Sequence, residues 1–113
     1  MKYVIAVIQP DKIEDVLEAL DEASIHLVTA SDVMGRGRQK GIAEIYRSHV
    51  EPGNLLRKVK LEIAVNDDFL SQTITTIARV AKTGNTGDGK IFVFDLEQCV
   101  RIRTGETGSV AIG

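Results

Sequence analysis

Three stretches of this chain place glycines and cations at spacings suited to holding an anion. The first is Thr83-Gly84-Asn85-Thr86-Gly87-Asp88-Gly89-Lys90, in which Gly84 to Lys90 satisfies the G-x-x-x-x-G-K portion of a phosphate-binding loop. Glycines let backbone N–H groups approach an anion closely, and Lys90 adds a charge. Ile91 stands where a Ser or Thr would hold magnesium, and the expected order is helix–loop–strand rather than strand–loop–helix. A P-loop nucleotidase is therefore excluded, although the anion-binding ingredients remain. The competing reading is a glycine-rich turn with a surface lysine.

The second stretch, Arg101-Ile102-Arg103, sets two guanidinium groups on one side of an extended segment. Such a pair can grip a phosphate through several charge-assisted bonds. The alternative is an exposed edge segment with Ile102 turned inward. The third, Gly35-Arg36-Gly37-Arg38-Gln39-Lys40-Gly41, is one residue off the dinucleotide fingerprint and precedes no helix. A Rossmann reading is rejected, leaving either a polyanion contact or a flexible basic loop.

Other reactive side chains are sparse. His26 falls in an expected strand and reads as structural, and His49 is far from it in sequence. With Cys99 the single cysteine, neither an internal disulfide nor a Cys/His metal spacing exists. Cys99, beside Val100, reads as a small core residue. No nucleophile has a histidine and an orienting acid nearby in sequence.

The elements that must position these stretches are legible from periodicity. Tyr3 to Ile8 is apolar, β-branched and ended by Gln9-Pro10, which predicts a buried strand. Ile13, Val16, Leu17 and Leu20 define one face of a helix that Gln9-Pro10-Asp11 initiates. Ile25 to Val33 is a second strand candidate. Val59, Leu61, Ile63 and Val65 alternate with Lys58, Lys60, Glu62 and Ala64, a half-buried strand. Asn66-Asp67-Asp68 supplies a helix cap, and Leu70, Ile74, Ile77, Ala78 and Ala81 carry a second helical stripe. Ile91 to Phe94 is the following strand. Two successive β-α-β units predict an α+β, ferredoxin-like split β-α-β sandwich, with a long protruding loop over residues 35–57. Both sides of the first and last strands are apolar. Either the C-terminal tail or self-association must then cover the second sheet face.

Length and charge bound what remains. The 113 residues make one domain, and 14 Lys and Arg against 16 Asp and Glu give a net charge of −2. That balance removes bulk attraction to nucleic acid or anionic membrane, and 4% aromatics leave few base-stacking platforms. The apolar start is too short for a signal peptide and no segment is long enough to span a bilayer, so a cytoplasmic protein is expected.

With Glu44-Ile45-Tyr46-Arg47, Lys58-Val59-Lys60 and the run from Val100 to Glu106, the three stretches together resemble the PII signal-transduction proteins over nearly the whole chain. The resemblance implies a single PII-like domain over 1–113. It contains a T-loop from about Gly37 to Leu56, a phosphate loop at about 83–90 and a C-terminal segment at about 97–113. It implies a non-catalytic homotrimer that binds ATP or ADP in clefts between subunits, and 2-oxoglutarate together with Mg-ATP. Its T-loop would dock on a transporter, enzyme or regulator of nitrogen or carbon metabolism, with neither nucleic acid binding nor membrane insertion.

Carried over by position, Lys90, Arg101 and Arg103 match phosphate-binding cations, with Arg38 reaching in from a neighbouring subunit. Gly87, Asp88 and Gly89 match the phosphate loop, and Thr29 and Thr83 fall where nucleoside contacts are expected. Gln39 matches the residue that helps hold magnesium. Lys58 matches the partner of a 2-oxoglutarate carboxylate, with Gly37, Gln39, Gly41 and Gly87 around the same ligand. A 2-oxo acid can chelate magnesium through its keto oxygen and adjacent carboxylate, which leaves the distal carboxylate for Lys58.

The chain departs from the family pattern in the T-loop. Glu51 replaces the tip tyrosine that many members have uridylylated, and His49 replaces a serine that others have phosphorylated, with Ser48 adjacent. Arg36, Ile42 and Ala43 also differ from the commonest residues. Two other functions compete. A small ferredoxin-like phosphohydrolase would use the Arg and Lys cluster but lacks a placed base. A nucleic-acid module of the same topology would need aromatics that Lys58 to Val65 do not supply.

Overall fold

The computed structural model describes residues 1–37 and 55–113. The chain runs β1 (Lys2–Ile8), a 3-10 turn (Pro10–Lys12), α1 (Ile13–Glu22), β2 (Thr29–Gly35), β3 (Leu56–Val65), α2 (Asp67–Ala81), β4 (Gly89–Asp95) and a short α3 (Ser109–Ile112). The strands form one antiparallel sheet in the order β2-β3-β1-β4, so each β-α-β unit interleaves with the other. This is the expected α+β, ferredoxin-like arrangement. Most of the T-loop expected at 37–56 lies outside the described residues.

The two helices cover one sheet face. Val4, Ala6 and Ile8 of β1 and Val59, Leu61, Ile63 and Val65 of β3 point into that layer, where they meet Val16, Leu20, Ile77 and Ala81. Burying a side chain of this size stabilises the fold by ~1.5–3 kcal/mol. Thr73 and Thr76 are also buried on α2, which the apolar stripe omitted. The Thr73 hydroxyl is satisfied by the Phe69 carbonyl at 2.7 Å, and it can sit in the core for that reason. Ala78, assigned to the stripe, is exposed.

Three local expectations are corrected. The second strand begins at Thr29, not Ile25, because the apolar residues before it close α1 instead. Ser24 adopts a left-handed φ of 64, its N–H donates to the Asp21 carbonyl at 3.0 Å, and the Ile25 N–H donates to Leu20 at 2.8 Å. This is the Schellman pattern, and buried Ile25 is its hydrophobic anchor. His26 therefore lies in a connection, beside the Asp21 carboxylate, and not in a strand. Asn66 occupies the N-cap position of α2, but its side chain makes no cap bond there. Its Nδ2 donates instead to the Ser109 carbonyl at 3.1 Å. Arg101 to Glu106 is a closed turn rather than an extended segment. Val100 bridges Thr107, and the Arg101 N–H donates to Glu106 while accepting at its carbonyl from Gly105. Ile102 is 99% exposed on this turn, and Cys99 is partly exposed.

The opposite sheet face has no helix. The registers Ile5↔Phe92 and Tyr3↔Phe94 put apolar residues of β1 and β4 side by side there. Phe92 and Phe94 remain about half exposed in the single chain. On β3 the same face carries Lys60 and Glu62. Glu62 accepts from the Tyr3 hydroxyl at 2.7 Å and from Lys60 at 3.1 Å.

Candidate functional site

The site lies at one end of the helix-free face, where four segments converge. The register sets Ile8 against both Val59 and Gly89, Val7 against Lys90, and Gly35 against Leu56. A cleft of about 390 Å³ opens there. Val7 comes from β1, Gly35 to Gly37 from the exit of β2, Lys58 from β3, and Thr86, Gly87, Gly89, Lys90 and Phe92 from the loop and β4. The expected helix–loop–strand order is what delivers the loop to this corner.

Lys58 is the unusual member. It is 8% exposed, although its alternation partners on the helix-free face, Lys60 and Glu62, are more open. A buried ammonium must be hydrogen-bonded to offset its lost hydration. Its Nζ donates to the Gly87 carbonyl oxygen at 3.1 Å. The same oxygen accepts from Gln9 Nε2 at 2.5 Å. Gln9 is 4% exposed and was not singled out in the sequence, where it read only as the residue before a helix-starting proline.

The loop holds its shape through Asp88. Its carboxylate accepts from the Thr83 N–H at 2.8 Å, from the Gly84 N–H at 2.9 Å and from the Thr83 hydroxyl. Burial alone would push the Asp88 carboxyl up. The bonds from Thr83 and Gly84, aided by Lys12, outweigh it and hold the group below the usual carboxylate range. Asp88 and Thr83 are thus committed to each other, and neither lines the cleft. Gly87 and Gly89 have φ values of 100 and 111, which L side chains rarely adopt. At Gly89 a Cβ would stand 1.8 Å from the Val7 carbonyl oxygen, so only glycine lets the loop enter β4 here.

Of the residues singled out in the sequence, Gly37, Lys58, Gly87, Gly89 and Lys90 meet at this cleft. Thr29, Arg101 and Arg103 do not line it within one chain. Thr29 pairs with Glu62 on β2. The Arg101 guanidinium donates to Glu106 at 2.5 Å and to the Val110 carbonyl at 3.1 Å, and Arg103 is exposed. Arg38, Gln39 and Gly41 lie outside the described residues, as do His49 and Glu51. Among the described residues no group of three or more His, Cys, Asp or Glu converges to hold a metal, and the cleft is lined by no carboxylate and no imidazole. What the corner offers is an ammonium pair, Lys58 and Lys90, with Arg36 at its margin, beside glycine backbone. Cations and backbone N–H groups in that combination have the chemistry to receive a polyanion. No helix among the described residues is long and apolar enough to cross a membrane.

Comparison with known proteins places the chain in a family. The family model described as "Nitrogen regulatory protein P-II" matches residues 1–106. The chain is 47% identical over 112 residues to the nitrogen regulatory protein P-II 2 of Methanothermobacter thermautotrophicus, covering 99% of this chain and 97% of that protein. It is 50% identical over 112 residues to the nitrogen regulatory protein P-II of Klebsiella oxytoca and to P-II 1 of Escherichia coli K12, covering 99% of this chain and 100% of each.

Proposed function

The chain belongs to the nitrogen regulatory protein P-II family, a family of signal-transduction regulators, and on that premise we propose that it is a non-catalytic trimeric sensor of adenine nucleotide and 2-oxoglutarate. Its output would be the docking of the T-loop on a target protein. The convergence of Lys58, Lys90, Gly87 and Gly89 with Gly35 to Gly37 at one cleft carries this reading. The phosphates of ATP or ADP would lie against Lys90 and the glycine backbone, and Arg38, which the resemblance brings in from a neighbouring subunit, would instead act from the same chain as Gly37, its neighbour in sequence. Thr29, Arg101 and Arg103, which do not line the cleft within one chain, would face them from the neighbouring subunit rather than from beside Lys90.

Magnesium would arrive with ATP. Gln39 would help hold it, and bound there it would supply Lewis acidity suited to a 2-oxo acid. This chain's own part is to receive the distal carboxylate on Lys58, beside Gly37, Gly41 and Gly87. Pairing a buried ammonium with a carboxylate is favoured because the ammonium is already desolvated in the folded protein. The helix-free sheet face, with Phe92 and Phe94 half exposed, supports self-association.

Binding without turnover fits a family of signal-transduction regulators. Glu51 provides no phenolic oxygen for nucleotidylation. The signal would then leave through ligand-dependent T-loop conformation, gathered by Gln39 and Lys58 in the Mg-ATP and 2-oxoglutarate state and released with ADP. Titration calorimetry tests the reading. Both nucleotides should bind, and 2-oxoglutarate should bind only once Mg-ATP is present. Tight 2-oxoglutarate binding without nucleotide would contradict it, and so would steady ATP hydrolysis.

A further inference from the structure

We propose that Gln9 is a positioning residue of the cleft, holding the Gly87 carbonyl so that Lys58 can leave it for an anionic ligand. The inference rests on the reading of the cleft given above. Three observations carry it. Gln9 and Lys58 donate to one acceptor, the Gly87 oxygen, at 2.5 and 3.1 Å. Lys58 lines the cleft and Gln9 does not, so Lys58 alone of the two is within a ligand's reach. Gln9 is 4% exposed and its backbone is extended, at φ −67 and ψ 140, as a residue before proline must be. Its carboxamide therefore projects from a backbone fixed between the end of β1 and the turn that follows.

A carbonyl oxygen has two lone pairs and accommodates both donors. When a carboxylate draws the Lys58 ammonium away, the bond from Gln9 remains. Without Gln9, the same movement would strip the carbonyl of both bonds. It would also free the peptide after Gly87, whose φ of 100 belongs to a residue with little intrinsic preference. That cost falls on the ligand that recruits Lys58, not on a nucleotide held by Lys90 and the glycine N–H groups. Being a neutral amide, Gln9 adds no charge of its own, so discrimination between one and two anionic ends of the ligand stays with Lys58.

The test is calorimetry on the full chain with Mg-ATP first and 2-oxoglutarate second. Gln9→Met matches the side chain's length and removes the donor. It should weaken 2-oxoglutarate about tenfold, as expected for one lost hydrogen bond, with Mg-ATP changed by less than about threefold. Gln9→Glu, ionised, sets an acceptor against an acceptor and should show the same split. Gln9→Lys keeps a donor and should return 2-oxoglutarate to within about threefold of the unsubstituted protein, or tighter. Undiminished 2-oxoglutarate affinity in Gln9→Met and Gln9→Glu overturns the proposal. Equal loss of both ligands overturns it too, since that is the mark of a merely loosened loop. If the unsubstituted protein binds neither ligand, the reading of the cleft fails first and takes this inference with it.

Discussion

The ammonium of Lys58 stands 3.1 Å from the carbonyl oxygen of Gly87, a residue 29 positions later on a different element. β3 supplies the first and the loop before β4 the second. The bond closes across the end of β1, which pairs with both strands. Because Lys58 is 8% exposed, its charge has already lost most of its water before any ligand arrives. Lys58→Ala should therefore remove a preorganised charge-assisted contact. The expected loss is ~1.5–3 kcal/mol in 2-oxoglutarate affinity measured in the presence of Mg-ATP. Binding of ATP alone should suffer much less, and equal losses would assign Lys58 to the nucleotide instead.

Glycines of the loop should differ sharply in tolerance. Gly89→Ala drives a Cβ to within 1.8 Å of the Val7 carbonyl, backbone against backbone, at a φ of 111. The β1–β4 pairing must shift to relieve it, at a cost of ~3 kcal/mol or more. Gly84→Ala has a similar φ of 90 but meets nothing within 4 Å. It should cost ~1 kcal/mol. Urea unfolding of the two variants reads the contrast directly, and comparable midpoints would show that the strand pairing can give way at Gly89.

Acid should loosen the loop through Asp88. Burial raises its carboxyl, but the bonds from Thr83 and Gly84 outweigh that and the folded-state value is depressed. A depressed carboxylate contributes stability that is present above the unfolded-state pKa of ~4 and is lost as pH falls through the lower folded value. Glu62 is lowered first by the Tyr3 hydroxyl and then by Lys60, Asp67 by the Met1 ammonium, and Asp95 by Lys2; all three act with the same sign. Stability measured by urea midpoint should fall below about pH 4. In Asp88→Asn it should start lower at neutral pH and fall less steeply with acid. An unchanged slope would mean that Asp88 titrates alike in both states.

The helix-free face makes a prediction about assembly. Phe94 is 51% exposed and lies opposite Tyr3 in register. Sedimentation equilibrium of the unsubstituted protein at micromolar concentration should give the mass of three chains. Phe94→Asp places a charge in that face and should shift the mass toward one chain. A monomeric unsubstituted protein would remove the neighbour from which Thr29, Arg101 and Arg103 are proposed to act.

Much of this fold could be read from periodicity because the buried residues of β1, β3 and the helices sit at regular spacings. The misreadings share a cause, in that a specific hydrogen bond, local for Ile25 and Arg101 and long-range for Asn66, claimed a residue that pattern had assigned elsewhere. Ile25 is apolar for the sake of a helix terminus, not a strand. Asn66 turns from its cap toward Ser109, and Glu106 folds Arg101 into a turn. For the cleft, glycines and lysines announced themselves by type. Gln9 did not, because an amide that serves a carbonyl 78 residues away leaves no local signature. Asp88 announced itself by position but not by role, since its commitment to Thr83 and Gly84 depends on the turn those residues form.

The strand order β2-β3-β1-β4 has a consequence for synthesis. β1 is made first but waits between neighbours that emerge much later, and its outer partner β4 ends at Asp95. No contiguous half of the chain holds Val7, Lys58 and Lys90 together. A nascent chain on the ribosome therefore has no anion receptor until its last strand is released and docks beside its first. On the proposed reading, ligand competence and completion of the sheet arrive in one step, and a prematurely terminated product would be unable to compete for nucleotide.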